Sequence, residues 1–238
     1  MLKCRGLDDA SRGKIKDHAS AHGLEAVIAG AAIHLRAEDF VAPSPYEYFI
    51  RSIRGAPLQA RASILTQAEN GRGETSPASN QLHLAAGIAL ACKLMGKSCV
   101  TLCMSNMAQS ADFWRSAVSF ASNRKLPVVF VLANPPGKNQ SLFAELRNQA
   151  QELLPAITVD GNDVVAVYRV AEESTRRARQ GLGPSLIECR LEAGRDPLVF
   201  METYLKNRGL WSDGWKQELI RNLERELASP QRSRRRSA

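Results

Sequence analysis

Apolar and polar positions follow two rhythms between about residue 22 and residue 192. Short unbroken apolar runs, rich in β-branched residues, occur at Ser98–Met104 (SCVTLCM), Leu126–Ala133 (LPVVFVLA), Ala156–Val159 and Ser185–Leu191 (SLIECRL). Runs of that length without polar alternation predict strands buried on both faces. Longer stretches with helical spacing lie between them. His22–Leu35 and Asn80–Met95 are Ala-rich and apolar on several sides, which predicts helices enclosed by other elements. Ala108–Asn123 places Phe113, Ala117 and Phe120 at one-turn spacing, and Asn139–Leu154 reads as a further helix. After Asp160-Gly161, Asn162 is placed to cap the next helix, with Asp163 near its positive end. That helix runs to about Gln180, where Gly181-Leu182-Gly183-Pro184 stops it. Pro197–Arg208 and Asp213–Ala228 predict two outer helices. Strands alternating with helices predict an α/β domain of three layers, helices on both faces of a mostly parallel sheet.

The pattern divides the chain into an N-terminal segment (1–21), a single α/β domain (22–228) and a tail (229–238). Thr66–Ser79 (TQAENGRGETSPAS) is polar and reads as a surface loop. Hydrophobic residues make up 44% and charged residues 24%, an ordinary globular composition. No stretch approaches the ~18 consecutive apolar residues of a membrane span, and the first residues lack the apolar core of a signal peptide. The expected location is therefore the cytoplasm. Arg232, Arg234, Arg235 and Arg236 carry half of the net charge of +8, so the basic signal belongs mostly to the tail. A disordered basic tail is suited to weak contact with a polyanion at most. The five cysteines show no C-x-x-C spacing, and they are expected as reduced, buried thiols.

Several short stretches, taken in order, resemble one family. Gly13–Ala26 looks like the approach to a G-Q-E-A helix. Asp39-Phe40-Val41 through Arg54-Gly55-Ala56-Pro57-Leu58 looks like D-Y-V…R-G-x-P-L, and Gln81–Ala91 looks like a Q-x-x-x-A-x-G-x-A-x-A helix. Asp112-Phe113, Leu126–Val131, Val159–Val164, Arg195-Asp196-Pro197, Tyr204-Leu205 and Arg208–Trp211 continue the series. From about residue 13 to 228 the chain resembles the alpha subunit of thiamine-diphosphate-dependent 2-oxoacid dehydrogenases, the pyruvate dehydrogenase type. The resemblance implies the thiamine-diphosphate-binding fold, thiamine diphosphate with Mg²⁺ as cofactors, and a beta-type subunit or a second copy of the chain as partner.

The positions that hold the cofactor in that family are altered. Its G-D-G motif, whose Asp is a metal ligand, reads Ser105-Asn106-Met107, or Met104-Ser105-Asn106 with a one-residue gap. Its N-N pair reads Asn134-Pro135, so the second ligand position has no side-chain oxygen. Mg²⁺ requires oxygen ligands in near-octahedral geometry, and neither alignment supplies a carboxylate. The family's Y-R-x-H reads Pro45-Tyr46-Glu47-Tyr48, which replaces a guanidinium suited to phosphate by a phenol. A loop carrying G-H-S is expected after Leu191, but Glu192-Ala193-Gly194 leads directly to Arg195-Asp196-Pro197. The family's first helix is also missing from the pattern. Tyr46, Tyr48, Ser105, Asn106 and Asn134 are thus degenerate cofactor-binding positions. No residue is assigned as a catalytic group or a metal ligand. The expectation is an accessory, non-catalytic alpha-like subunit in which cofactor binding is weak or lost. The alternative is an active oxidative decarboxylase whose site a beta-type partner completes.

Other candidates carry less. Pro135–Asn139 lacks the G-x-x-x-x-G-K-[ST] pattern of a phosphate loop and reads as a strand–helix turn, with Lys138 kept as a candidate to face the cofactor position. His18 and His22 are four apart, but no third ligand accompanies them. His34 and His83 read as structural.

Overall fold

Five parallel strands form the centre of the structure, a computed structural model that describes residues 1–11, 20–55, 77–106, 111–134, 144–145, 148 and 154–228. They are β1 (Phe40–Val41), β2 (Thr101–Asn106), β3 (Val128–Asn134), β4 (Ala156–Asp160) and β5 (Ser185–Arg190), in the order β1-β2-β3-β5-β4. The described helices are α1 (Leu2–Ser11), α2 (Glu25–Ala32), α3 (Glu47–Ile53), α4 (Pro77–Leu94), α5 (Ala111–Asn123), α6 (Val164–Arg179), α7 (Pro197–Asn207) and α8 (Asp213–Ala228).

Strand side chains alternate between two apolar layers, as a pleated sheet requires. Leu102, Met104, Val129, Val131, Ile187 and Cys189 face one layer, where Val27, Ile28 and Ala31 of α2, Phe49 and Ile50 of α3, and Val167 and Ala171 of α6 pack. Cys103, Val128, Phe130, Leu132 and Leu186 face the other, closed by Leu82, Ala85 and Ala89 of α4 and Trp114, Ala117 and Ala121 of α5. The three-layer α/β/α arrangement expected from the pattern is present.

Helix α2 is buried at every position, Glu25–Ala32. Its small residues permit this. A Cβ on Gly30 would lie 2.8 Å from Val167 Cβ and 3.0 Å from the backbone nitrogen of Tyr168, so α2 and α6 touch backbone to backbone there.

Four details depart from the sequence expectation. The N-terminal segment contains α1, which buries Cys4 and Leu7 in the α2 layer and brings Gly6 against Leu223 of α8. Only two apolar side chains turn inward, too few to mark an amphipathic helix by periodicity. Helix α4 begins at Pro77, three residues ahead of the expected start, in line with the preference of proline for a first helical turn. Asp163, not Asn162, caps α6, its Oδ1 accepting from the backbone N–H groups of Val165 (2.8 Å) and Ala166 (3.2 Å). The short β1 and α3 were matched to motifs but not predicted as elements. Most of the helix expected over Asn139–Leu154 lies outside the described residues, as do the loop up to Ser76, Lys138, His18 and the basic tail.

All five cysteines are free and buried. Burial pushes the Cys4 thiol up to about 11 and raises those of Cys103 and Cys189 further. None of these three is a thiolate nucleophile near neutral pH. Among the described residues, no helix is long and apolar enough to cross a membrane.

Candidate functional site

Parallel α/β sheets present their ligand-binding residues beyond the carboxyl ends of the strands. Here β2 ends on Ser105 and Asn106, and β3 ends on Asn134. In the parallel register Ser105 lies opposite Leu132 and Asn134 opposite Arg190 of β5. Ser105 and Asn134 are both buried and share the sheet face covered by α4 and α5. Gln81 of α4 fastens the helix to this edge, donating from Nε2 to the Met104 carbonyl at 2.6 Å.

The Asn134 amide is held from one side only. Its Nδ2 donates to Glu188 Oε1 at 2.7 Å, whereas its Oδ1 is buried without a hydrogen-bond partner. Glu188 is itself fully buried in the middle of β5. Its second oxygen accepts from Thr158 Oγ1 at 2.9 Å and from Arg190 Nε at 3.0 Å. A carboxylate removed from water is tolerated only with donors of this kind around it. The network therefore joins the ends of β3, β4 and β5 under the strand edge.

The remaining sequence candidates lie elsewhere. Tyr46 precedes α3 and is buried in the layer of α2 and α6, on the opposite face of the sheet from Asn134. Tyr48 packs against the same layer, its ring 5.6 Å from that of Phe49 in an edge-to-face contact. The five positions thus divide: Ser105 and Asn134 share one face, while the two tyrosines belong to the other. Asn106 is the last residue of β2, and its side chain lies outside what the structure describes.

A second network closes the edge after Leu191, where the family's G-H-S loop reads as deleted. Gly161 N–H donates to the Arg190 carbonyl at 2.7 Å, and a Cβ on Gly161 would meet that oxygen at 3.0 Å. Asn162, the residue expected as a cap, accepts from Glu192 N at 2.8 Å and donates to the Arg195 carbonyl at 3.1 Å. Arg195 reaches back to Asp160 at 2.9 Å and stacks over the Phe200 ring at 4.3 Å. Residues 192–195 therefore form a tight turn pinned to the β4–α6 corner.

The turn leads into a third cluster that sequence reasoning missed. Arg5 of α1 donates to Glu25 of α2 at 2.6 Å and to both oxygens of Asp196, at 2.7 and 3.1 Å. Asp196 in turn caps α7 by accepting from Leu198 N at 2.8 Å. The guanidinium holds the Asp196 carboxyl below its ordinary value. In the sequence, the one signal for Glu188 is a lone acid between Leu186-Ile187 and Cys189 of β5. Arg5 and Asp196 are 191 residues apart, and nothing local connects them. No group of three or more His, Cys, Asp and Glu side chains placed to hold a metal ion occurs among the described residues.

Comparison with known proteins bears on the whole of this arrangement. The family model described as "Dehydrogenase E1 component" matches residues 7–191. The pyruvate dehydrogenase E1 component subunit alpha of Staphylococcus aureus (strain Mu50 / ATCC 700699) is 27% identical over 270 residues, covering 95% of this chain and 72% of the relative. The same subunit of Staphylococcus epidermidis (strain ATCC 12228 / FDA PCI 1200) is 27% identical over 269 residues with the same coverage. Both aligned spans exceed the 238 residues of this chain, so some positions of each relative have no counterpart here. A solved chain from Mycobacterium smegmatis described as a thiamin diphosphate-dependent enzyme shares 15% identity at a TM-score of 0.45, covering 69% of this chain and 31% of that one. The match of the family model over most of its length establishes that this chain belongs to the dehydrogenase E1 component family.

Proposed function

We propose that the chain is an alpha-like subunit that has lost the means to hold Mg²⁺ and thiamine diphosphate by itself and serves as an accessory subunit beside a beta-type subunit or a second copy. The observation that carries the reading is the donor set at the ends of β2 and β3. Ser105-Asn106-Met107 contains no carboxylate, and Asn134 is followed by Pro135. Glu188, the carboxylate hydrogen-bonded to Asn134, is already engaged by Thr158 and Arg190 as well. Among the described side chains at this edge, the unpartnered oxygen is the neutral Oδ1 of Asn134, and one amide oxygen without a carboxylate is a poor donor set for a hard divalent cation. A missing carboxylate about 4 Å from a divalent ion forgoes roughly 8 kcal/mol of attraction at an effective dielectric near 20, before desolvation offsets part of it. The tight 192–195 turn agrees with a shortened loop after Leu191.

A shift in melting temperature tests this. Thiamine diphosphate with Mg²⁺ at a hundred times a working dissociation constant adds about 2.7 kcal/mol to stability, roughly 5–11 °C for a chain of this size. The expected result is no shift, and a shift of that size in the purified chain overturns the proposal.

One observation favours the alternative, an oxidative decarboxylase completed by a beta-type partner. Asn134 Oδ1 is buried and partnerless, as an acceptor awaiting a donor from outside the chain would be. Purification of the native complex, followed by an assay for thiamine-diphosphate-dependent oxidation of 2-oxoacids, distinguishes the two readings. Activity that disappears in Asn134→Ala favours the completed site.

A further inference from the structure

We propose that an open hollow of about 360 Å³ between α1, α2, α7 and α8 is a binding site for a straight-chain carboxylate of medium length. None of its lining residues belongs to a strand or to the networks around Asn134 and Asn162. Its volume falls within the range of small-molecule sites. Ile33, Met201, Leu205, Trp211, Trp215 and Leu219 are among the apolar residues of its wall. Ile33 is 63% exposed and Trp215 46% exposed, so these helices meet without sealing the space between them.

The shape of the wall selects a chain over a ring. The Trp211 and Trp215 rings stand edge to face, 6.0 Å apart at 86°, and offer no pair of parallel faces between which a flat ligand can stack. The other walls are aliphatic, with the adaptable thioether of Met201 among them. A flexible acyl chain can follow such a surface.

Charge selects the head group. Lys3, Lys216 and Glu202 belong to the lining, Lys206 stands beside Trp211, and Glu226 reaches Lys3, so these five side chains carry an excess of one positive charge. Lys216 pairs with Glu202, and Lys3 pairs with Glu226 at 2.9 Å. The Lys206 and Lys216 ammonium groups stand 5.5 and 5.6 Å from the centre of the Trp211 ring. Partly exposed ion pairs of this kind contribute little to the fold. A ligand carboxylate exchanges for Glu202 or Glu226 at small cost, with its chain lying in the hollow.

The chain reports on this site by itself. Of its three tryptophans, Trp211 and Trp215 line the hollow, and Trp114 is fully buried in the layer of α4 and α5. Titration of the full chain with hexanoate, octanoate and decanoate, below their aggregation concentrations, is expected to change tryptophan emission saturably. Affinity rises about fourfold per added methylene. Decyltrimethylammonium, with the same chain and the opposite charge, binds at least about tenfold more weakly. Lys216→Gln weakens decanoate by about tenfold and leaves decanol unchanged. Leu219→Glu, at a partly exposed wall position, weakens decanoate and decanol alike, with an unaltered circular dichroism spectrum confirming the fold. Absence of a saturable change, affinity independent of chain length, equal binding of the cationic amphiphile, or undiminished binding by the folded Leu219→Glu variant would each overturn the proposal.

Discussion

Glu188 shows how one residue can organise a strand edge. Its carboxylate is fully buried, and Asn134, Thr158 and Arg190 all donate to it. Removing either member of the Asn134–Glu188 pair leaves a polar group buried and unmatched, which costs about 1–3 kcal/mol and more where the remaining group is charged. Asn134→Leu and Glu188→Leu are each expected to lower stability by at least that amount in urea unfolding. The double variant is expected to be more stable than the sum of the two losses predicts, because neither partner is then stranded. Strict additivity would remove the network from the account. Asp196 permits a test in pH. Its folded carboxyl is held below the ordinary value, foremost by the hydrogen bonds from Arg5. A depressed folded value means the pair stabilises the protein above the unfolded carboxyl value, near 3.8, and is lost as pH falls through the folded value. The urea midpoint of the unaltered chain is expected to fall more steeply than that of Asp196→Asn as pH drops below about 4. Asparagine can still cap α7, so the difference reports the titrating carboxylate, whose largest partner is Arg5.

At the scale of elements, the contact between α2 and α6 is decided by one glycine. Gly30 has a Cβ-sized gap closed on two sides, by Val167 and by the backbone of Tyr168. Backbone cannot yield as the end of a flexible side chain can. Gly30→Ala would gain helix propensity in an isolated helix, but here overpacking is expected to dominate. The expected outcome is a loss of about 1–3 kcal/mol in denaturant unfolding. Element identity was largely legible because it is local. The apolar run Leu126–Ala133 marked β3, and Ala-rich spacing marked α2 and α4. Helix α1 was not legible, because Cys4 and Leu7 are too few to make a pattern. The exchange of roles between Asn162 and Asp163 was equally hidden. Either side chain can cap a helix, and only the position of the 192–195 turn gives Asn162 its different partners.

Over the whole molecule, Arg5 connects three pieces that are remote in sequence: α1, the start of α2 and the cap of α7. Glu25 is completely buried, and Arg5 is the cation beside it. Arg5→Met leaves that charge uncompensated, a loss of about 3–5 kcal/mol for a buried pair broken on one side. A melting temperature lowered by roughly 6–20 °C is expected at this chain length, and a change of less than a few degrees would show that α1 is dispensable.

The sequence alone determined what depends on neighbours along the chain. Strands and helices followed from hydrophobic period, the layered class from their alternation, and family membership from short motifs in order. The absence of an Asp or Glu from Ser105–Met107 and the proline after Asn134 could be read directly as well. The tertiary structure alone decided the order β1-β2-β3-β5-β4, the separation of Tyr46 and Tyr48 from Asn134 by the thickness of the sheet, and the partners of Glu188 and Arg5. It also produced the hollow between α1, α2, α7 and α8. The physical reason is range. Burial periodicity is imposed on a residue by its own backbone and repeats every two or 3.6 positions, whereas a hydrogen bond or a cavity wall requires particular atoms from distant segments to meet within a few ångströms.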